Sequence, residues 1–520
     1  MSDDFKNDEV QAKNPKRNYE RKLSISEEAE AASSGRRRAP WPINLIEKPF
    51  SVTGPTTGVS LGEARGWGMD SAARGPLNQA GSFVGSALLR LALADAECQN
   101  PVTCTNTVYG LKPTNILTMS SVVVGLATAI LMPIVGAIVD HTKYRKLMGG
   151  ATAFLVCLAT GLQIMISQDT WFTVLLLEIF GGFFLISHTT SVMAYLPDLS
   201  REEEDLSHYT ARFNIAGFTV QMIYVAIVVG ISEGIGANNL ETARISLIVC
   251  FPLSTILLGY AWVFLFRKRP PLSEVPPGSN LVTTGFKQVG RTSMRIFTKY
   301  KSLRWFMFAL LWSPESGAGA VLSITVTFMV TILRMSTIQV GITNLILLLF
   351  TLPGSLLSKK MIAMVNPLRS FQMSLVFFSL SVAITAAVLD SEEKKHWTYL
   401  FAVFWGIAFG WVYPSQRVLQ CTLIPKGQET EMMGVFAFFA QLLGWLPPLI
   451  FSIMNQKGVD MRWGVSMISF FIFFAFLITL LMGSYEHALS QVNPAESTDL
   501  EFDEEQQEKD KDVSTDENES

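Results

Sequence analysis

Ionisable side chains inside long apolar segments are the residues of this chain whose types are suited to chemistry. Asp70 and Arg74 stand four residues apart in the first such segment, Glu178 and His188 share the fourth, and Glu315 lies in the broken string WSPESGAG of the seventh. A carboxylate at membrane depth costs at least about 2.5 kcal/mol by insertion scales, so each acid needs a partner or a task. We therefore treat all five as candidates for a solute or proton site.

Each candidate also has a purely structural interpretation. Asp70 and Arg74 are at the i, i+4 spacing that favours an ion pair along one helix. A histidine changes its charge between about pH 5 and 8 and can relay protons, but His188 can equally be a packing residue. Both interpretations stay open from the sequence alone.

Other kinds of chemistry leave no trace in the sequence. No metal-ligand cluster, phosphate loop, nucleophile elbow or nucleic-acid motif is present. We expect a protein that is not an enzyme, with no catalytic residue, cofactor, metal ion or nucleic-acid partner. The expected partners are a small solute, protons as candidate coupling ions, and the lipid bilayer.

The elements that must position these side chains are membrane helices. Of the 520 residues 49% are hydrophobic and 16% are charged, against about 25% charged in soluble proteins. Apolar runs of about twenty residues recur, the length that crosses a hydrocarbon core. We predict an all-α polytopic membrane protein with about twelve transmembrane helices in two six-helix halves. The predicted spans are 67–94, 115–139, 147–166, 171–196, 213–231, 245–266, 303–333, 340–357, 373–389, 399–419, 432–454 and 465–482.

The polar segments predict the domain organisation and the orientation. We expect a disordered cytosolic tail at 1–65, a first half at 66–266, a basic cytosolic linker at 267–302, a second half at 303–488 and an acidic disordered tail at 489–520. The linker holds eight Lys or Arg residues against the single acid Glu274. The positive-inside rule then places the linker and both termini in the cytosol. Cys98 and Cys104 share a loop on the opposite side, where they can form a disulfide.

The end of the second span carries a candidate gating motif. The string GAIVDHTKYRK contains Gly136, Asp140, Arg145 and Lys146 and is similar to the loop motif of the major facilitator superfamily. The resemblance implies a conformational latch in which Asp140 faces the N-terminus of helix eleven. The alternative is ordinary basic flanking of a membrane helix. The corresponding site of the second half has Ser358 where an acid would be expected.

The region around helices ten and eleven carries a second resemblance. LIPKGQETEMMGVF, followed by WLPPLIF, resembles the signature of the autophagy-related vacuolar effluxer family, a branch of the same superfamily. The string GWGMDSAARGP matches the family's opening only in part, because Gly75 stands where fungal members tend to carry an acid. Arg417 also has an interpretation without a functional role, because its long side chain can extend to the lipid headgroups. The residues that carry the resemblance are Tyr413, Arg417, Pro425, Gly427, Glu429, Glu431 and Gly434.

The resemblance implies a function that the residues do not show by themselves. It predicts a vacuolar, lysosome-like membrane transporter that exports amino acids from lumen to cytosol after autophagic degradation, by alternating access about a midplane site. Two alternatives remain open, because a transporter fold does not fix its cargo. One is a transporter of another small solute, such as a sugar or organic anion. The other is a non-transporting membrane scaffold or lipid-handling protein.

Overall fold

A computed structural model describes residues 61–195, 199, 203–271, 280–312, 314–424 and 429–492 of the chain. For residues 61, 203–212, 214, 314–320, 322, 429–431 and 433 it describes the backbone alone. Most of the two predicted tails, and Pro425 and Gly427 of the effluxer signature, therefore lie outside the described residues. So do the side chains of Glu315, Glu429 and Glu431.

The first half consists of six long helices. A 3₁₀ turn at Pro113–Asn115 leads into the second helix, and a π turn at Ala261–Leu265 extends the sixth. The helices are α1 (Leu61–Asp95), α2 (Ile116–His141), α3 (Arg145–Gln163), α4 (Trp171–Met193), α5 (Glu203–Gly234) and α6 (Asn239–Tyr260).

The second half repeats this order after a linker helix, α7 (Leu281–Lys299). Its first and fifth spans are each split, after Leu311 and at 443–445. Its helices are α8 (Lys301–Leu311), α9 (Pro314–Thr331), α10 (Thr337–Val365), α11 (Pro367–Val388), α12 (Trp397–Thr422), α13 (Glu429–Leu442), α14 (Leu446–Gln456), α15 (Met461–Thr479) and the short α16 (Tyr485–Val492).

The described helices confirm the predicted fold class. Nine of them are long and apolar enough to cross a membrane. The other three predicted spans are α1, the pair α8 and α9, and α12, which are helical but more polar or interrupted. Such helices survive in a bilayer because neighbouring helices satisfy their polar groups. The described part of the chain contains no named strand.

Three features differ from the prediction. Helix α1 begins at Leu61 rather than near Trp67, because Glu63 is fully buried against the end of the first half. The two oxygens of that carboxylate accept hydrogen bonds from the backbone N–H of Arg267 and from the Arg269 guanidinium. The linker contains the amphipathic helix α7 where the sequence predicts only a basic polar connection. Helix α1 also runs without a break through Pro76, although Pro and Gly predict an interruption.

The two halves meet at the end of the bundle that carries the Cys98 loop. Arg90 of α1 donates to the Met335 carbonyl, and Ser86 lies 3.0 Å from the hydroxyl of Thr337 at the start of α10. On the other side of the interface, the Asn115 amide donates to the Ser452 carbonyl of α14 at 3.1 Å. These hydrogen bonds join helices of different halves, so they close this end in the described conformation.

The predicted disulfide is confirmed. Cys98 and Cys104 are bonded, with 5.6 Å between their Cα atoms. The bond fixes the loop that follows α1, the helix that reaches across to Met335. The loop therefore supports the closed end of the bundle.

Removing this bond should lower the thermal stability of the protein. We expect the double variant Cys98→Ser/Cys104→Ser to lose about 2 kcal/mol of unfolding free energy, the chain-entropy value for so short a loop. Thermal unfolding of the purified protein measures the loss, and a reducing agent should reproduce it in the wild type. Cys421→Ser, outside the disulfide, is the control and should melt like the wild type. Equal melting temperatures for all three proteins would contradict the stabilising role.

Candidate functional site

A buried carboxylate, Asp70, lies inside the first half, near the end of the bundle that is predicted to be cytosolic. It is fully buried on α1, and its two oxygens have three side-chain partners. Arg74 Nε donates to Oδ1 at 2.7 Å, while His188 Nε2 and Trp262 Nε1 lie 2.8 and 2.9 Å from Oδ2. The partners come from α1, α4 and the π turn, so three elements converge on one charge. We name these four residues the Asp70 cluster.

The other ring nitrogen of His188 faces helix α3. Nδ1 lies 3.1 Å from the Gly149 carbonyl oxygen and 3.2 Å from the Thr152 hydroxyl. A carbonyl only accepts hydrogen bonds, whereas a hydroxyl can donate or accept. The imidazolium form can donate to both Asp70 and Gly149. The neutral ring can keep its donation to Asp70 only if Nδ1 accepts from Thr152.

The local sequence makes room for this arrangement. A methyl group on Gly149 would lie 1.9 Å from the Trp262 ring, so only glycine lets α3 approach the indole. The π turn, one residue wider than an α turn, carries Trp262 at the end of α6. Trp67 donates to the Val192 carbonyl at 3.1 Å and lies under the Arg74 guanidinium, 5.3 Å from it. The Trp67 indole therefore fixes the position of the cation.

The cluster is internal to the first half. Its residues belong to α1, α4 and the end of α6, and His188 is five residues from the end of α4. At 1.5 Å per residue that is about 7 Å from the helix end predicted to be cytosolic. In this conformation His188 therefore lies near the predicted cytosolic end of the first half, and the midplane site stays a prediction.

The other predicted site residues occupy separate places. Glu178 on α4 accepts a hydrogen bond from Gln163 Nε2 at 2.7 Å and faces Gly81 of α1. It lies closer to the opposite end of α4 from His188, so the structure does not bring the two together. Glu315 belongs to α9, and its side chain lies outside the described residues, so its role stays a prediction.

Gly75, the departure from the effluxer pattern, has a structural reason. A methyl group there would lie 2.6 Å from the Gly217 carbonyl oxygen and 2.8 Å from Gln221 Cβ. Helices α1 and α5 therefore touch through their backbones at this point. A carboxylate side chain does not fit in this packing.

The residues of the gating motif lie against different parts of the protein, with Asp140 on the side of the second half. Thr118 lies 2.6 Å from Ser452, and a methyl on Gly125 would lie 2.8 Å from Trp445 Cβ. Helix α2 therefore runs antiparallel to α14 and α13, and this register places Asp140 near the first turn of α13. The partially positive N-terminus of a helix favours a nearby carboxylate. A latch of the predicted kind would need this location, and the latch itself stays a prediction.

The two cations of the motif point into the first half instead. Arg145 is fully buried and donates to the Ala194 carbonyl at 3.2 Å, with its guanidinium 5.4 Å from the Tyr195 ring. Lys146 donates to the Val263 carbonyl of the π turn at 3.3 Å. Gly136 has open space where a side chain would be. The described contacts of the cations thus tie α3 to α4 and to the turn that holds Trp262.

The second half holds a neutral network where the first half holds charge. The Ser415 hydroxyl of α12 lies 2.9 Å from both Ser358 of α10 and Ser370 of α11. Trp411 Nε1 donates to Ser370 at 3.1 Å. Ser358, which replaces the expected acid, is therefore part of a hydroxyl cluster that joins three helices. The three serine hydroxyls and the Trp411 N–H hydrogen-bond one another, so they need no charged partner.

The described residues of the effluxer signature spread over α12 and α13. Arg417 is exposed near the end of α12 and donates weakly to Gln420 at 3.4 Å, which favours the snorkelling interpretation. Tyr413 stacks on Phe409 with 5.8 Å between ring centroids. Gly434 is exposed on α13. None of these three contacts the Asp70 cluster through a described hydrogen bond.

Sequence reasoning missed three members of the site: Trp262, Gly149 and Thr152. Trp262 lies at the end of a predicted span, where a tryptophan ordinarily marks the membrane interface. Gly149 and Thr152 lie in a helix with many small residues. Thr152 and Gly149 are 36 and 39 residues from His188, and Trp262 is 192 residues from Asp70. No local signal pairs a glycine with so distant an indole before the fold is known.

The close approach of α3 to the indole can be tested with two neighbouring glycines. Gly149→Ala should displace Trp262 and destabilise the protein by about 1–3 kcal/mol, the usual cost of overpacking. Gly150→Ala is the matched control, because a methyl there would lie 4.0 Å from the nearest atom. Thermal unfolding of both variants measures the difference. Equal melting temperatures would show that Gly149 does not define the site.

Comparisons with known proteins agree with this architecture. Residues 80–448, well over half of the chain, match the family model described as Major Facilitator Superfamily. No curated protein sequence matches the chain closely enough to count as a relative.

Solved structures give the same fold at low identity. A D-xylose-proton symporter shares 12% identity at a TM-score of 0.57, over 81% of this chain and 97% of its own. A mutant of the nucleoside transporter NupG shares 13% identity at a TM-score of 0.55, over 81% of this chain and 100% of its own. A bacterial homologue of the iron transporter ferroportin, in an inward-facing state, shares 13% identity at a TM-score of 0.52, over 81% of this chain and 99% of its own. The chain therefore belongs to the Major Facilitator Superfamily.

Proposed function

We propose that this protein is a secondary transporter that exports amino acids from the lumen of a vacuole or lysosome-like organelle to the cytosol, driven by protonation of the Asp70 cluster. Membership of the superfamily supports transport of a small solute. The effluxer-like signature around Gly434 supports the amino-acid cargo and the vacuolar membrane. The alternating-access cycle would rock the two halves about their interface.

The observation that carries the proposal is a partly unsatisfied guanidinium, that of Arg74, beside the Asp70–His188 pair. Arg74 Nε binds Asp70, but its buried Nη2 has no hydrogen-bond partner among the described residues. A guanidinium prefers planar acceptors such as the carboxylate that every amino acid carries. When His188 is protonated, the cluster holds two cations and one anion. Such a surplus of positive charge favours binding of an anionic group.

Proton release would also change the hydrogen bonds between His188 and helix α3. The protonated His188 ring donates to the Gly149 carbonyl, whereas the neutral ring must accept from Thr152 at Nδ1. The Thr152 hydroxyl lies 2.8 Å from the Met148 carbonyl, so it gives up that donation when it turns to the ring. Since α3 begins beside Arg145, a change in these bonds is transmitted to the turn that follows Asp140. This is a physical link between the proton and the candidate latch.

Flux measurements on purified protein test the proposal. Proteoliposomes with an acidic interior and neutral exterior should release labelled amino acids faster than protein-free vesicles. Xylose and a nucleoside serve as the competing cargoes, because the fold is shared with transporters of both. Selective flux of a sugar or nucleoside would show that the proposed amino-acid cargo is wrong. The absence of flux for any solute would favour the scaffold alternative. Amino-acid release from purified vacuoles with and without the protein tests the location.

The pH dependence of transport should depend on His188. His188→Gln keeps a side-chain donor for Asp70 but cannot take up a proton, so we expect near-normal abundance with a flattened pH profile of flux. The control is His396→Gln, an exposed histidine that follows the 3₁₀ turn at Glu392–Lys394. An unchanged profile in the His188 variant would remove the ring from the coupling mechanism.

The latch should limit the rate of transport rather than the fold. Asp140→Asn removes the charge near the first turn of α13, and we expect about three- to tenfold slower flux at equal abundance, the scale of a charge–dipole interaction. Asp390→Asn is the control, because that acid pairs with Lys394 on the surface at the opposite end of the bundle. Wild-type flux in Asp140→Asn would show that the carboxylate does not gate the cycle.

A further inference from the structure

The linker helix α7 is docked on α2 through one face. A methyl group on Gly285 would lie 2.2 Å from the Pro133 carbonyl oxygen, so the two helices touch through their backbones. Gln288 Oε1 lies 2.8 Å from His141 Nε2. Thr292 and Ile296 are fully buried on the same face. Helix α7 is therefore a fixed part of the structure rather than a loose connection.

The rest of the α7 surface divides into two different sectors. Measured from Gly285 at 100° per residue, the apolar sector spans about 60–180° and the cations about 200–320°, so the sectors are adjacent and Lys299 borders the packed face. One sector is apolar and exposed, with exposed fractions of 48% for Val282, 45% for Phe286 and 64% for Met294. The other sector carries exposed cations, and these are Lys287, Arg291 and Lys299. A helix that faces only water has no use for three exposed apolar side chains of this size beside its cations.

The length of the α2 span predicts the depth of α7. The apolar span runs from Pro113 to His141, and Pro133 comes twenty residues after its start. At 1.5 Å per residue this is about 30 Å, the thickness of a hydrocarbon core. Gly285 packs at Pro133, so we expect the start of α7 at the predicted cytosolic edge of the core.

The α2 surface next to α7 faces lipid. Leu126 and Ile130 precede Pro133 and Ala137 at helical spacings of three, four and seven residues, so all four share one stripe. Leu126 and Ile130 are 38% and 59% exposed. Pro133 and Ala137 contact Gly285. The stripe that α7 covers thus continues as exposed apolar surface across the membrane span.

We propose that α7 is an interfacial helix that binds the anionic lipids of the adjacent leaflet. Val282, Phe286 and Met294 enter the boundary between acyl chains and headgroups. The three cations bind the phosphates and carboxylates of the lipid headgroups, and their positive charge matches the anionic leaflet of the cytosolic side. Since α7 connects the two halves and also contacts α8 and α13, lipid binding there holds the linker against the membrane through the transport cycle.

Hydrogen–deuterium exchange on the full-length protein tests this proposal. The protein is placed in nanodiscs of phosphatidylcholine alone or of phosphatidylcholine mixed with phosphatidylserine. We expect exchange over residues 281–299 to be about tenfold slower with the anionic lipid, since each surface cation contributes up to about fivefold in affinity. In Lys287→Gln/Arg291→Gln/Lys299→Gln this lipid effect should be lost.

Matched controls distinguish lipid binding by α7 from a general effect of charge or of free phosphate. The variant Lys143→Gln/Lys359→Gln/Lys360→Gln removes three exposed cations outside α7 and should keep the full lipid effect. Inorganic phosphate added to phosphatidylcholine nanodiscs should not slow exchange, and if it does, the site is a phosphate site and the proposal fails. Phe286→Ser should speed exchange in both lipid mixtures. Equal exchange of wild-type α7 in the two mixtures would also overturn the proposal.

Discussion

The buried Asp70 carboxylate joins three elements of the first half of the protein. An ionised carboxylate in a low-dielectric interior is stable only when opposite charge and hydrogen-bond donors surround it. Arg74 supplies a cation from the same helix, and His188 and Trp262 supply donors from α4 and the π turn. The position of α1 relative to α4 and to the π turn at the end of α6 therefore depends on one charge. This also explains how so polar a first helix remains in a membrane.

The two halves solve the same packing problem with different chemistry. Near the ends of α10, α11 and α12 the second half uses three serine hydroxyls, which exchange donor and acceptor roles without a change of charge. The first half uses a charged set whose histidine can gain a proton. In the proposed cycle, a proton taken up by this cluster would act on the first half.

The described hydrogen bonds between the halves lie at one end of the bundle, although α2 also packs along α13 towards the other end. Arg90 and Ser86 of α1 bind the start of α10, and Asn115 binds the end of α14. At the other end, α7 lies along the lipid-facing stripe of α2, away from the ends of α4 and α12. Movement of the halves would have to break the first set of bonds while α7 stays on α2. Because α7 contacts α2 of the first half and also α8 and α13 of the second, movement of the halves would change its contacts with the second half.

Local patterns in the amino-acid sequence were enough to predict the fold class and the disulfide. Apolar runs set the spans, and loop position paired Cys98 with Cys104. Asp70, Arg74 and His188 were also visible as candidates, since charge inside an apolar run stands out without any structure. Only the folded chain showed that these three residues meet and that Glu178 lies apart. It also showed that Trp262 and Gly149 complete the arrangement. Hydrogen bonds between helices depend on helix rotation and depth, which a hydrophobic pattern leaves free when lipid and protein interior are equally apolar.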